Sequence, residues 1–301
     1  MRSLTVPAVL MALLVLAGCG PEPDTTTAGA RLSGVLIDPQ LDEVSGLATS
    51  RRHRNVLWIH DDGGNPERLF AIDLRGQRQA TFRVEGVPKT DWEDLASFEL
   101  DGRAYLLVAD IGDNGGLRRS LQLHIIEEPS RLANARLNPA WSIAFRWPDG
   151  ARDCEAVAVD VRRRQILLIT KKREPPEVFS LPLRPEGGGL LTAERIGTLV
   201  GLPRPDQQMR ERWPRRARLQ GQVTAADISP DGRTLAVMTY RHLLLYTRAP
   251  RESWSQAIAE KPTIRALPVL PQPEALGWSR DGRTLYATGE FIPAPLYQVR
   301  P

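Results

Sequence analysis

The chain has 301 residues, and 40 basic against 36 acidic side chains give a formal net charge of +4 at pH 7. This length suits one large all-β domain or two average domains. Such a small positive excess gives little support to nucleic-acid binding. The sequence also lacks the H-E-x-x-H and G-x-S-x-G motifs and a phosphate-binding glycine loop, which argues against several common enzyme classes.

The N-terminus has the pattern of a secretion signal. Arg2 precedes an apolar run from residue 4 to residue 17 that is too short for a membrane-spanning helix. The sequence Leu-Ala-Gly-Cys at residues 16–19 follows, and it resembles the lipobox of bacterial lipoproteins. The resemblance implies cleavage before Cys19, a lipid on Cys19 and a place in the cell envelope, on the periplasmic side of the outer membrane. An ordinary signal peptide is the alternative.

Three segments follow from this pattern. Residues 1–18 are the expected lipoprotein signal peptide, residues 19–30 the lipidated Cys19 with a polar tether, and residues 31–301 a single folded domain. Cys154 is the other cysteine, and it has no disulfide partner if Cys19 carries a lipid. We therefore expect Cys154 to be a small buried residue.

The folded part contains five copies of one pattern. In each copy a short apolar strand, a polar turn and a second strand follow one another, and turns such as D-G-R and S-P-D-G-R are typical of tight hairpins. A third short alternating run follows in each copy, and a fourth in most. The first strand of each copy begins at one of five anchor residues: Ser45, Glu93, Glu155, Thr224 and Glu274.

Four strands per repeat with almost no helical periodicity predict an all-β fold, a β-propeller of four-stranded blades. We expect five blades. The last copy lacks a fourth strand, and residues 32–37 are predicted to complete it. A six-bladed ring is the alternative, because the spacing between copies is uneven.

Several of these motifs resemble known propellers. The turns S-P-D-G-R and S-R-D-G-R are similar to those of TolB-type propeller repeats. The sequences D-W-E-D-L-A at residues 91–96, D-I-G-D-N at 110–114 and D-C-E-A-V-A at 153–158 resemble a group of secreted bacterial propellers with no settled activity. The resemblance covers nearly all of the chain after residue 30. It implies a fold and little about chemistry.

The topology of a blade predicts where a site lies. The first strand lines the central channel and pairs antiparallel with the second, so the start of one and the end of the other meet at one rim. Polar residues concentrate at these ends in all five copies. The predicted rim residues are Glu43, Asp61, Asp91, Glu93, Asp110, Asp153, Glu155, Lys171, Lys172, Arg241, Glu274 and Glu290.

Crowded carboxylates raise one another's pKa unless a cation neutralises them. Ca²⁺ accepts irregular sets of oxygen ligands and is the candidate cofactor. One alternative is that these acids cap backbone amides or pair with basic side chains at the rim. A second alternative is that these carboxyl groups act as catalytic acids and bases. The candidate metal ligands are Glu93, Asp110, Asp113 and Asn114.

A second feature is the long connection from residue 203 to residue 221. Arginines beside an aromatic ring can hold a phosphate, a carboxylate or a sugar. The alternative is a solvated loop with a packed tryptophan as its anchor. The arginines surround Trp213 in the sequence, at Arg210, Arg212, Arg215, Arg216 and Arg218.

These observations predict a lipid-anchored cell-envelope propeller, expected to be monomeric, that binds a ligand through its rim. The expected partners are the membrane, through the lipid on Cys19, and an envelope protein, a glycan or a phosphorylated ligand; nucleic acid is not among them. A divalent-metal-dependent hydrolase of the phosphoesterase type at the same rim is the alternative. A glycosidase with two facing carboxylates is a third hypothesis.

Overall fold

The computed structural model describes residues 29–301 and has five β-sheets arranged as blades. The predicted fold class, an all-β propeller of five four-stranded blades, is confirmed. The signal peptide, Cys19 and nearly all of the tether lie outside the described residues. Within residues 29–301 no helix has the length and apolar character needed to cross a membrane.

The strands follow one another blade by blade. Strand β1 (Ala30–Leu36) comes first. The first blade contains β2 (Val44–Thr49), β3 (Val56–Asp61), β4 (Arg68–Asp73) and β5 (Arg78–Val84). The second blade contains β6 (Trp92–Leu100), β7 (Arg103–Asp110), β8 (Leu121–Glu127) and β10 (Pro139–Arg146). The short β9 (Ala135–Leu137) comes before β10 in the chain but pairs with the first blade.

The third blade contains β11 (Cys154–Asp160), β12 (Gln165–Thr170), β13 (Glu177–Pro182) and the outer β15 (Glu194–Thr198). The short β14 (Leu190–Thr192) comes before β15 in the chain but pairs with the second blade. Two short helices follow, α1 (Gln207–Arg212) and α2 (Pro214–Leu219). The fourth blade contains β16 (Val223–Ile228), β17 (Thr234–Thr239), β18 (His242–Thr247), helix α3 (Trp254–Ala257) and β19 (Thr263–Ala266). The fifth contains β20 (Pro273–Trp278), β21 (Leu285–Gly289) and β22 (Ala294–Val299).

The inner strands form a closed ring around the channel. Each of β2, β6, β11, β16 and β20 lies beside the next, and β20 returns to β2. Strand β1 pairs antiparallel with β22, from Ala30 opposite Val299 to Leu36 opposite Ala294. The fifth sheet therefore has the order β1-β22-β21-β20 and joins segments from both ends of the described chain.

Two three-residue strands were not predicted. β9 pairs in parallel with β5 of the preceding blade, and β14 pairs in parallel with β10. Strands this short have no measurable periodicity, so the sequence pattern does not indicate them. They cover the outer edges of the first two blades, where an unpaired strand would otherwise face solvent.

The apolar core lies between blades. Five clusters of buried side chains fill the five interfaces between neighbouring sheets. Every residue of β2, β11, β16 and β20 is buried, because both faces of an inner strand pack against other blades. Cys154 is fully buried, as predicted, and lies in the cluster between the second and third blades.

A buried carboxylate inside the channel forms hydrogen bonds with several inner strands. Asp94 on β6 is fully buried, and its Oδ2 accepts hydrogen bonds from the backbone N–H groups of Val157 (2.8 Å) and Ala226 (3.2 Å). These donors belong to β11 and β16, so Asp94 connects three blades. Further along the channel, Asp227 accepts the N–H of Trp278 at 2.8 Å. Hydrogen bonds to buried carboxylates therefore link the inner strands of different blades.

Candidate functional site

All five inner strands begin with the same irregularity. A β-bulge breaks the register with the second strand one residue after Val44, Trp92, Cys154, Val223 and Pro273. A bulge leaves its extra residue unpaired in the ladder and redirects the side chain. All five extra residues are nearly fully buried. They are the five anchor residues that the sequence pattern placed at the rim: Ser45, Glu93, Glu155, Thr224 and Glu274.

Three blades contribute to a buried ion cluster around Lys171. The Nζ atom of Lys171 lies 2.7 Å from Glu155 Oε2 and 3.7 Å from Glu274 Oε1. The hydroxyl of Tyr240 donates to Glu274 Oε1 at 2.6 Å. Burial raises the pKa of Glu155, and Lys171 opposes that shift. Burial acts to lower the pKa of Lys171, but the two carboxylates outweigh it and raise that pKa.

A separate group of acids converges between the first and second blades. One carboxylate oxygen from each of Asp62, Asp91 and Glu93 lies within 4.8 Å of the other two. Asp62 follows β3, Asp91 precedes β6, and Glu93 is the bulge residue of β6. Glu93 is 2% exposed, whereas Asp62 and Asp91 are half-buried. Within residues 29–301 none of the three forms a salt bridge.

Two glycines form the walls of this acidic group. A Cβ atom on Gly112 would overlap Glu93 Oε1 and Asp91 Oδ2, and a Cβ on Gly63 would overlap Asp91 Oδ1. The N–H of Gly112 donates to the carbonyl of Asp91 at 3.2 Å, and that of Gly63 donates to Asp62 Oδ1. Any larger residue at either position would displace the carboxylates.

Burial and mutual repulsion act together on these acids. Burial raises the pKa of Glu93 well above its usual value, and Glu155, Asp62 and Asp91 add to the shift. Burial also raises the pKa of Asp62, to about 6. The pKa of Asp91 is raised by burial, with Arg118 opposing. The fold therefore disfavours the ionised form of all three carboxyl groups.

Asp110 has partners of its own. Its Oδ1 accepts a hydrogen bond from Arg118 Nη2 at 2.6 Å in a salt bridge that is largely buried. The carboxylate also accepts the backbone N–H groups of Thr90 (2.9 Å) and Asp91 (3.2 Å). Asp110 thus fixes the chain that leads into β6.

Asp113 and Asn114 shape the following loop. Asp113 accepts the N–H groups of Leu117 (2.8 Å) and Arg118 (3.0 Å), as a turn cap does. Asn114 Oδ1 accepts from Lys172 Nζ at 2.7 Å. Of the four residues predicted as metal ligands, the structure places only Glu93 in the acidic group. The other three are engaged by backbone amides or basic side chains.

The remaining predicted rim residues lie around these groups. Asp153 pairs with Lys172 at 2.8 Å. Glu43 is exposed and accepts a hydrogen bond from Asn65 at 2.7 Å. Arg241 is also exposed, and within the described residues it forms no salt bridge.

Asp61 and Glu290 carry two further buried carboxylates. Burial raises the pKa of each to about 7. The carbonyl of Asp61 accepts from Lys89, whose ammonium lies 4.9 Å from the ring centre of Trp92. Gln272 donates to Glu290. Burial therefore makes both carboxyl groups bind a proton more readily than an exposed acid does.

The arginine-rich connection forms two short helices before β16. Asp206 caps α1 by accepting the N–H of Met209 at 2.7 Å. Trp213 is 50% exposed, so the packed tryptophan of the solvated-loop hypothesis is not found. The guanidinium groups of Arg216 and Arg212 lie 5.0 and 5.9 Å from its ring centre. The helices present an exposed basic and aromatic surface.

No protein-family model matches the chain, and no curated protein shows significant similarity to it. The likeness to TolB-type repeats therefore rests on the turns and motifs that carry it. What the chain shares with such proteins is the architecture, a β-propeller. Conclusions about function follow from the geometry of the rim.

Proposed function

We propose that the protein is a lipid-anchored cell-envelope propeller that binds a ligand through the polar rim of its central channel. The observation that supports this function is the repeated bulge at the start of every inner strand. Bulges occur preferentially beside binding sites, where they redirect side chains. In this chain a bulge at the start of each of the five inner strands places one polar residue at the same end of the channel.

The chemistry of the rim favours a ligand rich in hydroxyl groups, such as a glycan. Sugar hydroxyls can donate hydrogen bonds to the carboxylates of Glu43 and Glu290 and accept them from Arg241. A phosphorylated ligand would be repelled by the same acids unless a cation lay between them. A protein partner would need a basic surface complementary to the rim.

A screen of glycans and phosphorylated compounds tests the binding function. We expect a compound that raises the melting temperature of the wild-type protein to bind at least tenfold more weakly to Tyr240→Phe and Arg241→Ala. The matched control is Arg280→Ala, which changes an exposed arginine in the turn after β20. Equal affinity for wild type and both rim variants would refute binding at the rim.

The anchor has a separate test. Cys19→Ser should move the protein from the detergent-soluble membrane fraction of the producing bacterium to its soluble periplasmic fraction, because the lipid has no other attachment point. Radiolabelled palmitate should label the wild-type protein and not the variant. Retention of Cys19→Ser in the membrane fraction would contradict lipid anchoring through this residue.

One observation favours the alternative function, a divalent-metal-dependent hydrolase. Asp62, Asp91 and Glu93 converge as ligands would, and a metal ion held there could polarise a phosphoryl oxygen. Hydrolysis of p-nitrophenyl phosphate that requires Mn²⁺ or Ca²⁺ and disappears in Glu93→Gln would establish it. Absence of turnover with any divalent ion would leave the binding function.

A further inference from the structure

The acids at the rim fall into two classes. One class has a cationic partner within the fold: Asp110 pairs with Arg118, Asp153 with Lys172, and Glu155 with Lys171. The other class has no salt bridge within residues 29–301, and it includes Asp62, Asp91 and Glu93. What distinguishes these three is that their carboxylates approach one another. Three like charges do not gather without compensation, which here means either protons or a cation.

The surroundings of Glu93 provide an independent reason to expect a cation. Its side chain is 2% exposed, and the single hydrogen bond of its carboxylate among the described residues goes to Oε2. Its Oε2 receives only a long bond, 3.4 Å, from the hydroxyl of Ser45. Buried carboxylates are normally paired or bound to a metal, because an isolated buried charge is strongly unfavourable. Glu93 thus directs a carboxylate with one weak hydrogen bond towards the other two acids.

Two glycines pack closely against the carboxylates of the group. Gly112 and Gly63 approach Glu93 and Asp91 so closely that a Cβ atom at either glycine would overlap their oxygens. Their backbones hold the acidic loops in place through the hydrogen bonds from Gly112 to Asp91 and from Gly63 to Asp62. The oxygens are therefore positioned by rigid chain and not by long flexible side chains alone.

The donor set selects the kind of ion. All three ligands are carboxylates, which suit a hard cation and not zinc or copper. Oxygens on opposite sides of a Ca²⁺ ion, at 2.3–2.6 Å, lie up to about 5 Å apart. A set confined within 4.8 Å can therefore share one such ion. Three carboxylates leave coordination positions for water or for a ligand.

We propose that Asp62, Asp91 and Glu93 bind one Ca²⁺ ion at the rim, between the first and second blades. The ion neutralises the buried charge of Glu93 and ties the segment after β3 to the start of β6. Its free coordination positions face the surface that the proposed function assigns to the ligand. The ion site itself depends on neither the identity of that ligand nor any turnover.

Calorimetric titration of the full chain, purified in detergent and freed of metal with EDTA, tests the site. We expect one Ca²⁺ per chain and a rise in melting temperature of several degrees at a hundred times the dissociation constant. Glu93→Gln and Asp91→Asn should each weaken binding at least tenfold. Tb³⁺ offers a second readout, because Trp92, which stands between Asp91 and Glu93 in the sequence, can sensitise its luminescence.

Two control variants separate this site from its alternatives. Asn114→Ala alters a residue of the set predicted from the sequence, and Glu43→Gln makes the same carboxylate-to-amide change at an exposed rim position. Both should bind Ca²⁺ as the wild type does. If Asn114→Ala lost the ion and Glu93→Gln kept it, the assignment of ligands would be overturned.

The variants also report on folding without metal. Metal-free Glu93→Gln should melt at or above the temperature of the metal-free wild type, because the substitution removes a buried charge that repels its neighbours. If it fails to fold, the less buried Asp62→Asn takes its place in the titration. Absence of binding by the wild type, or unchanged affinity in both Asp62→Asn and Asp91→Asn, would refute the site.

Discussion

Replacing Lys171 by methionine should lower the free energy of unfolding by about 3–5 kcal/mol, the usual effect of removing one partner of a buried ion pair. Methionine keeps most of the length of the side chain and removes the charge. Glu155 and Glu274, which are 2% and 4% exposed, would then face each other without a cation. Urea unfolding at pH 7 measures the loss.

Lys172→Met is the matched control, because the neighbouring Lys172 also pairs with a rim acid. Its side chain is 44% exposed, against 11% for Lys171. An ion pair with an exposed partner contributes about 1 kcal/mol or less. Adding Glu155→Gln to Lys171→Met should recover part of the stability. Equal losses in the two single lysine variants would contradict a special role for the buried cluster.

The loss in Lys171→Met should also depend on pH. Burial raises the pKa of Glu155 in the folded state, and without Lys171 nothing opposes that shift. A folded-state pKa above the unfolded value means that the folded protein binds the extra proton. The variant should therefore gain stability relative to wild type as the pH falls through the raised pKa. A loss independent of pH would argue that packing, not charge, is affected.

The sequence predicts the fold because local signals repeat. Turns such as S-P-D-G-R fix hairpins wherever they occur, and five copies with the same strand order leave few architectures other than a propeller. Features without such signals were not predicted. The helices α1 and α2 lie in a stretch with no amphipathic period, and β9 and β14 are three residues long.

The sequence also locates the rim, but not the pairing of charges across it. Asp110 stands at the end of β7 as predicted, yet Arg118, eight residues later, turns back and engages it. Asp62 joins Glu93, although strand alternation directs its side chain away from that of Asp61. Differences of about 1 Å decide which carboxylates share a cation, and side-chain alternation does not fix distances that finely.

Asp94 illustrates the same limit within the motif D-W-E-D. In the sequence, the acids of this motif suggest a single acidic group at the start of a strand. Glu93 and Asp94 are chemically similar neighbours within it. The bulge at Glu93 separates them. Glu93 belongs to the rim, whereas Asp94 lies in the channel and accepts backbone N–H groups. A bulge has no reliable signature in one sequence, so the different tasks of these two acids were not predicted.

Asp94→Ala should destabilise the protein by about 3–5 kcal/mol, because it leaves buried N–H groups without an acceptor, at about 1–3 kcal/mol each. Asp94 accepts from Leu95 and from two other blades, at Val157 and Ala226. Asp227 bonds to one other blade, through Trp278, so Asp227→Ala should lose less. Urea unfolding gives the ranking, and hydrogen exchange at the amides of Val157 and Ala226 should accelerate only in Asp94→Ala.

Burial of the Asp94 charge works against these bonds. A loss below about 1 kcal/mol would mean that the two effects cancel, and the channel would then be held by apolar packing between blades alone.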